Sequence, residues 1–186
     1  MSQLQKTETL FRTPRFDVCK ATVSSVEGHL EEHYYISKSD AVSVLAVKDS
    51  GILLLKVKRP MASTCYELPG GVIEKNESPV AAAERELLEE TGLRLTFLEK
   101  LGCLRPLPMT TELIHVFIGP VNMQQDERLE PPTLTEGIES LCFFTTSTIQ
   151  KMIEEGDIGL SADVHALILG LKWIREASSR THAKFT

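Results

Sequence analysis

The order of elements in this sequence predicts an α+β fold, arranged as an α/β/α sandwich. Three observations carry that reading. Short apolar runs rich in β-branched residues stand on both sides of a central segment. That segment is bracketed by Ser78-Pro79 and Gly92, a helix start and a helix stop. Two further helical stretches then close the chain.

Taken in order, Arg15 to Val23 and Glu31 to Ser37 read as two strands joined around Val26-Glu27-Gly28-His29, with Phe16, Val18 and Tyr35 among the apolar positions. AVSVLAV follows Ser39-Asp40 as a strand, and Lys48-Asp49-Ser50-Gly51 turns it into a second, ILLLKVK. Tyr66 to Leu68 leads into Pro69-Gly70-Gly71, a tight turn whose glycines permit backbone angles closed to other residues. The central helix runs from Pro79 to the residue before Gly92. Further strands are expected at Leu93–Leu101, Leu113–Ile118 and Ile138–Phe144, with a long polar loop at Val121–Glu136. The last helices span Thr146–Glu155 and Ser161–Ala177, the second with Val164, Leu167, Ile168, Leu171 and Ile174 on its apolar face. The expected organisation is a strand and hairpin segment at 1–40, a main domain at 41–178 and a tail at 179–186.

With 186 residues, 42% of them hydrophobic and 25% charged, the chain has the means to bury a real core. A formal net charge of −6 disfavours nucleic acid and anionic membrane surfaces. An anionic substrate would need a local basic patch or a metal ion. Cys19, Cys65, Cys103 and Cys142 form no CxxC pair, which argues against zinc and against a disulfide framework; they read as small core residues. The polar start MSQLQKTETLFRTPR has no signal-peptide core, and no apolar run approaches membrane-spanning length, so a soluble cytoplasmic protein is expected. His115 and His165 are assigned no chemistry.

The central helix crowds acid onto one side. At about 100° per residue, Glu89 and Glu90 fall roughly 60° and 40° to either side of Glu86. Like charges at such spacings each cost about 0.2–0.5 kcal/mol. A hard divalent cation accounts for the grouping: magnesium takes oxygen ligands, keeps several waters and binds substrate phosphates together with a few carboxylates. Arg85, one turn before Glu89, stands where it can orient that carboxylate. The neighbouring glycine turn lets backbone approach the same ion. ELLEE alone would read as a solvated acidic face.

The longer pattern is more specific. Gly71, five residues, Glu77, seven residues and then Arg85-Glu86-Leu87-x-Glu89-Glu90-x-Gly92-Leu93 matches the Nudix box at every defined position. The chain therefore resembles a Nudix hydrolase. That resemblance implies an α/β/α sandwich with the box as loop–helix–loop, and hydrolysis of a nucleoside diphosphate linked to another moiety, with Mg2+ or Mn2+. The implied metal ligands are Glu86, Glu89 and Glu90, with the backbone carbonyl of Gly70 added. Glu77 and Arg85 support the box.

The similarity extends from about Leu10 to Trp173. LFRTPRFDVCKATV, VKRP, YELPGGVIE and IEEGDIGLSADVHALILGLKW all look like the branch of ADP-ribose and nucleoside diphosphate sugar pyrophosphatases. Pro108, fifteen residues after Leu93, stands where that branch has a marker proline. PGG in place of PAG and VKRP in place of a QYRP-like segment depart from its commonest patterns and leave the particular sugar nucleotide open. The branch also implies a homodimer in which the hairpin at 15 to 37 helps build the partner's site.

By the same resemblance the general base sits on a loop before a late strand, which makes Glu136 the candidate. Glu139 is its nearest competitor, and Glu127 and Glu130 share the loop. Elsewhere in the family a box glutamate is the base, which would give Glu89 or Glu90 a second role. Arg59 and Arg105 are the basic residues nearest the predicted site and suit bidentate phosphate contact. Glu67 is placed to accept hydrogen bonds from a base or ribose, or to form a buried structural pair. Phe16, Tyr34 and Tyr35 read as core packing before base stacking. The expected reaction yields a nucleoside monophosphate and a sugar phosphate. Its alternatives are hydrolysis of NADH or a dinucleoside polyphosphate, and an ADP-ribose-binding module that cleaves nothing.

Overall fold

The computed structural model of the protein describes residues 3–49, 51–59, 64–121 and 137–182. Ten strands and three helices follow one another among them: β1 (Gln3–Arg12), β2 (Asp17–Ser24), β3 (Leu30–Ser37), β4 (Ala41–Lys48), β5 (Gly51–Val57), β6 (Cys65–Glu67), β7 (Gly70–Val72), α1 (Pro79–Thr91), β8 (Glu99–Leu104), β9 (Ile114–Pro120), β10 (Ile138–Thr145), α2 (Thr146–Glu155) and α3 (Ser161–His182).

The centre is a mixed seven-stranded sheet in the order β10-β5-β4-β9-β8, with β6 on β5 and β7 on β4. Only the β4–β9 pairing is parallel. β4 and β5 are buried along almost their whole length, which is why they read as continuous apolar runs without alternation. Their side chains still divide by strand period. Leu45, Ile52 and Leu54 join Ile149, Met152, Leu167 and Ile174 of α2 and α3 in one core layer. Val42, Val44, Ala46 and Leu53 join Ala82, Ala83 and Leu87 of α1 in the other. One helix on one face and two on the opposite face make the expected α/β/α sandwich.

Local chemistry explains the ends of α1. The Ser78 hydroxyl accepts from the Ala81 amide, Pro79 starts the helix, and Gly92 closes it at φ 73° with its amide on Leu88 carbonyl. α2 occupies the predicted residues, capped by Thr145 and stopped by Gly156.

Several expectations change. β1 was not foreseen: its residues are nearly all exposed, so no buried face imprints a pattern on them. It pairs with β2 to extend the predicted hairpin into a separate three-stranded sheet, β1-β2-β3. That sheet is hooked to the main domain through Ile36, whose amide donates to Met109 carbonyl and whose carbonyl accepts from the Thr111 amide. The strand expected at Leu93–Leu101 begins only at Glu99; before it Leu95 makes a single bridge to Val121. α3 runs beyond Ala177. Ile168 on its expected apolar face is exposed. Of the cysteines only Cys19 is buried, while Cys103 and Cys142 are exposed. Phe16 and Tyr34 are exposed too, because the small sheet has no second layer over them. No described helix is long and apolar enough to cross a membrane.

Candidate active site

The β6–β7 turn, Leu68-Pro69-Gly70-Gly71, is the hinge of the site. Pro69 has no N–H, so the turn offers the amides of Leu68 and Gly70. The Gly70 amide donates to Glu90 Oε2 at 2.9 Å, reaching one face of α1. Gly71 lies against Glu86 so closely that a Cβ there would stand 2.3 Å from Glu86 Oε1. No residue larger than glycine leaves that carboxylate its seat.

Arg85 is the hub of the helix face. Its Nε and Nη2 donate to the two oxygens of Glu77, each at 2.9 Å, and Nη2 also reaches Val72 carbonyl at 3.1 Å. Its Nη1 donates to Glu86 Oε1 at 2.8 Å and to Glu89 Oε2 at 3.3 Å. Glu77 in turn accepts from the Glu74 amide at 2.9 Å, so it ties the loop before α1 to the helix. The guanidinium hydrogen bonds and that amide hold the Glu77 carboxyl down to about 2. The same Glu77 bonds raise Arg85 further above its already high value. The Glu77–Arg85 pair is thus charged at every ordinary pH. One cation is shared among three carboxylates, and Glu89 remains largely in solvent.

On the other side of the turn lies a cavity of about 380 Å³, bordered by Gly70, Gly71 and Val72 as well as by Arg59, Glu67 and Asp163. Arg59 grips Glu67 with two nitrogens, Nε to Oε1 at 3.0 Å and Nη2 to Oε2. Glu67 is 4% exposed, so this pairing is what lets a carboxylate sit there. Across the cavity Lys38 Nζ meets Glu112 Oε1 at 2.6 Å.

Of the residues expected from the sequence, Glu86, Glu89, Glu90, Arg85 and Glu77 come together on α1 and its approach loop, and Gly70 joins them through its amide. Arg59 and Glu67 line the cavity. Arg105 does not; it donates to Thr110 carbonyl at 2.6 Å, while its neighbours Pro106 and Leu107 form the wall. Glu127, Glu130 and Glu136 lie outside the described residues. Glu139 is on β10 and pairs with Lys56 at 3.4 Å.

Three charged cavity residues were not foreseen: Lys38, Glu112 and Asp163. Asp163 stands in the first turn of α3, a position that favours acid for the helix's own sake, so its sequence context advertised nothing further. It is 5% exposed and accepts from the Leu68 amide at 3.0 Å and the Ser43 hydroxyl at 3.4 Å. Burial pushes its carboxyl up to about 7, with the charge of Glu67 adding to the rise and the Leu68 amide opposing it.

The residues of α1 suit a divalent cation in kind: hard carboxylate oxygens beside a glycine turn, with one of them seated where a Cβ would otherwise be. Among the described residues no three His, Cys, Asp or Glu side chains are closed into a ready cage. Arg85 draws Glu86 and Glu89 toward itself, and Glu90 is turned to Gly70.

Fold and site together define a class: an α/β/α sandwich whose glycine turn separates an acidic helix face from a cavity. The family model described as NUDIX domain matches residues 37–164. The chain belongs to the Nudix family. Members of this family generally need a divalent metal ion. Among similar proteins, an ADP-ribose pyrophosphatase of Bacillus subtilis is 33% identical over 115 residues, 60% of this chain and 62% of that protein. An ADP-sugar pyrophosphatase of Mus musculus is 48% identical over 62 residues, 30% of this chain and 28% of that one. The chain thus spans less than two thirds of the length of these two relatives. The ADP compounds hydrolase NudE of Escherichia coli is 26% identical over 175 residues, 90% of each chain. A crystal structure of ADP compounds hydrolase superposes with a TM-score of 0.77 at 21% identity, covering 95% of both chains, and shares the fold.

Proposed function

We propose that the protein hydrolyses the pyrophosphate bond of ADP-ribose or a related nucleoside diphosphate sugar, giving a nucleoside monophosphate and a sugar phosphate. One observation carries the reading. The Gly70–Gly71 turn is at once a wall of the cavity and the seat of Glu86 and Glu90. A substrate filling the cavity would bring its phosphates to the turn and so to the acidic face. The relatives, named for ADP-ribose, ADP-sugars and ADP compounds, favour the same substrate class.

Glu86, Glu89, Glu90 and the Gly70 carbonyl would hold Mg2+ or Mn2+. Such an ion supplies charge neutralisation at the phosphates and a water of lowered pKa. Arg85 and Glu77 fix the backbone approach to the box, and the Arg85 guanidinium offsets the repulsion among the acids that it gathers. Arg59, gripped by Glu67, presents a fixed guanidinium plane to a phosphate or base, and Arg105 stands beside the cavity wall as a second cation. Glu136 is the proposed general base, with Glu139 and the box acid Glu89 as its competitors.

The protein is further proposed to act as a homodimer. Its small sheet exposes Leu4, Leu10, Phe11, Leu30 and Tyr34, apolar area that a second copy would cover. Light scattering would return a dimer for the full chain and a monomer once β1 is removed.

The test of the activity is a panel of ADP-ribose, ADP-glucose, GDP-mannose, NADH and diadenosine polyphosphates, with products separated by chromatography. Magnesium-dependent AMP and ribose 5-phosphate from ADP-ribose is expected. Preference for a dinucleotide would overturn the substrate, and binding without turnover of any compound would overturn the hydrolase.

A further inference from the structure

The β6–β7 turn is clamped from both helix layers of the sandwich, and the two clamps differ in what they can be spared for. Leu68 and Gly70 carry the amides of a turn whose middle residue, Pro69, has none. Glu90 of α1 takes the Gly70 amide at 2.9 Å from one layer. Asp163 of α3 takes the Leu68 amide at 3.0 Å from the other. Between them Pro69 carbonyl accepts from the Val44 amide at 2.8 Å, and Ser43, which pairs with Gly70 in the sheet, donates its hydroxyl to Asp163 at 3.4 Å. A buried carboxyl is costly to keep unless its bonds matter. Among the described residues no ion pair reaches Asp163; the charge of Glu67 repels it and the charge of Arg59 offsets part of that.

We propose that Asp163 is a positioning residue for the reaction: it anchors the glycine turn from the α3 side, so that Gly70 and Gly71 keep their place when Glu90 is engaged elsewhere. The inference rests on the hydrolase reading for its functional consequence. Glu90 is a proposed metal ligand, and a carboxylate turned toward an ion has less to give to the Gly70 amide. The Asp163–Leu68 bond does not compete for the same group. Asp163 therefore supplies the hold that is independent of the box, through a hydrogen bond and not through its charge.

Three proteins decide it: wild type, Asp163→Ala and Asp163→Asn. The side chain of asparagine keeps an acceptor for Leu68 and offers an amide toward Ser43. The first readout is amide hydrogen exchange at Leu68 and Gly70 by NMR, without metal. The second is turnover of ADP-ribose with magnesium, resolved into kcat and KM. In Asp163→Ala both amides are expected to exchange faster, and kcat to fall about 10–100-fold with a smaller change in KM, the range of lost ligand-orienting contacts. Asp163→Asn is expected to return protection at Leu68 and most of the lost kcat. A folded Asp163→Ala protein with unchanged exchange at Leu68 or unchanged kcat overturns the inference. Should Asp163→Ala not fold, Asp163→Asn decides alone: protection and turnover retained support the anchor, and a folded variant lacking either overturns it. Absence of turnover in wild type would instead sink the hydrolase reading, and the exchange measurement would still judge the anchor.

Discussion

Two groups of acids flank one turn and have opposite surroundings. Glu77 on the approach loop and Glu86 and Glu89 on α1 gather around Arg85 with Glu90 beside them, only Glu89 largely in solvent, and the Glu77 carboxyl is held down to about 2. Glu67 and Asp163 sit inside the sandwich at 4% and 5% exposure, and the Asp163 carboxyl is pushed up to about 7. In the first group a shared guanidinium holds Glu77, Glu86 and Glu89, and the Gly70 amide holds Glu90. Burial makes the second group depend on individual partners, Arg59 for Glu67 and the Leu68 amide for Asp163. Carboxylates on either side of the same glycine turn are thus suited to different work by dielectric and by partner, not by residue type.

The sharpest way to break the contrast is Glu90→Gln. If the helix face is the metal site, kcat for ADP-ribose falls by more than about 100-fold, beyond the range for residues that merely orient ligands. The melting temperature should move little, because the amide side chain can still accept from Gly70. Turnover within a few-fold of wild type would place the chemistry elsewhere.

Gly71→Ala probes the same face without touching a charge. Its Cβ would meet Glu86 Oε1 at 2.3 Å, so the carboxylate must swing away. Activity should drop about 10–100-fold, as when a ligand is re-aimed, in a protein that still folds. Gly70→Ala should be worse for stability, since its Cβ would meet Val42 carbonyl oxygen, a backbone atom, at 2.1 Å. Thermal melts of the two variants rank them.

Asp163 and Glu77 should also titrate in opposite senses. Asp163 has an ordinary value of 3.8 and a folded value of about 7, so between those pH values the native state binds the extra proton. Stability should therefore fall as pH rises from about 4 to about 7, and Asp163→Asn should remove that slope. Glu77 is the reverse case: its ordinary value is 4.5 and its folded value about 2, so its contribution is present above 4.5 and is lost as pH falls toward 2. Glu77→Gln should lower stability above pH 4.5 and flatten the acid limb of the melting curve, leaving the slope of the neutral region unchanged. Paired melts at a series of pH values read both slopes.

The smallest effect belongs to Lys151 and Glu155, an exposed pair one helical turn apart at 4.0 Å. Replacing both with alanine should change stability by less than about 0.5 kcal/mol by denaturant titration, as solvent screens the pair.

The sequence by itself determined the layers and the acidic face. β4 and β5 are buried on both sides and so wrote themselves as unbroken apolar runs; α1 carried its own cap, its own stop and a local spacing that puts Glu86, Glu89, Glu90 and Arg85 on one side. Such features are legible because they depend on neighbours within a turn or two of chain. β1 left no mark, since an exposed strand in a one-layer sheet needs no alternation. The cavity's further charges, Lys38, Glu112 and Asp163, were decided by tertiary structure alone. Asp163 meets Leu68 across 95 residues and Lys38 meets Glu112 across 74, separations over which no local periodicity acts. The burial that lifts the Asp163 carboxyl comes from packing α3 against β4, a property of the assembled layers and not of any stretch of sequence.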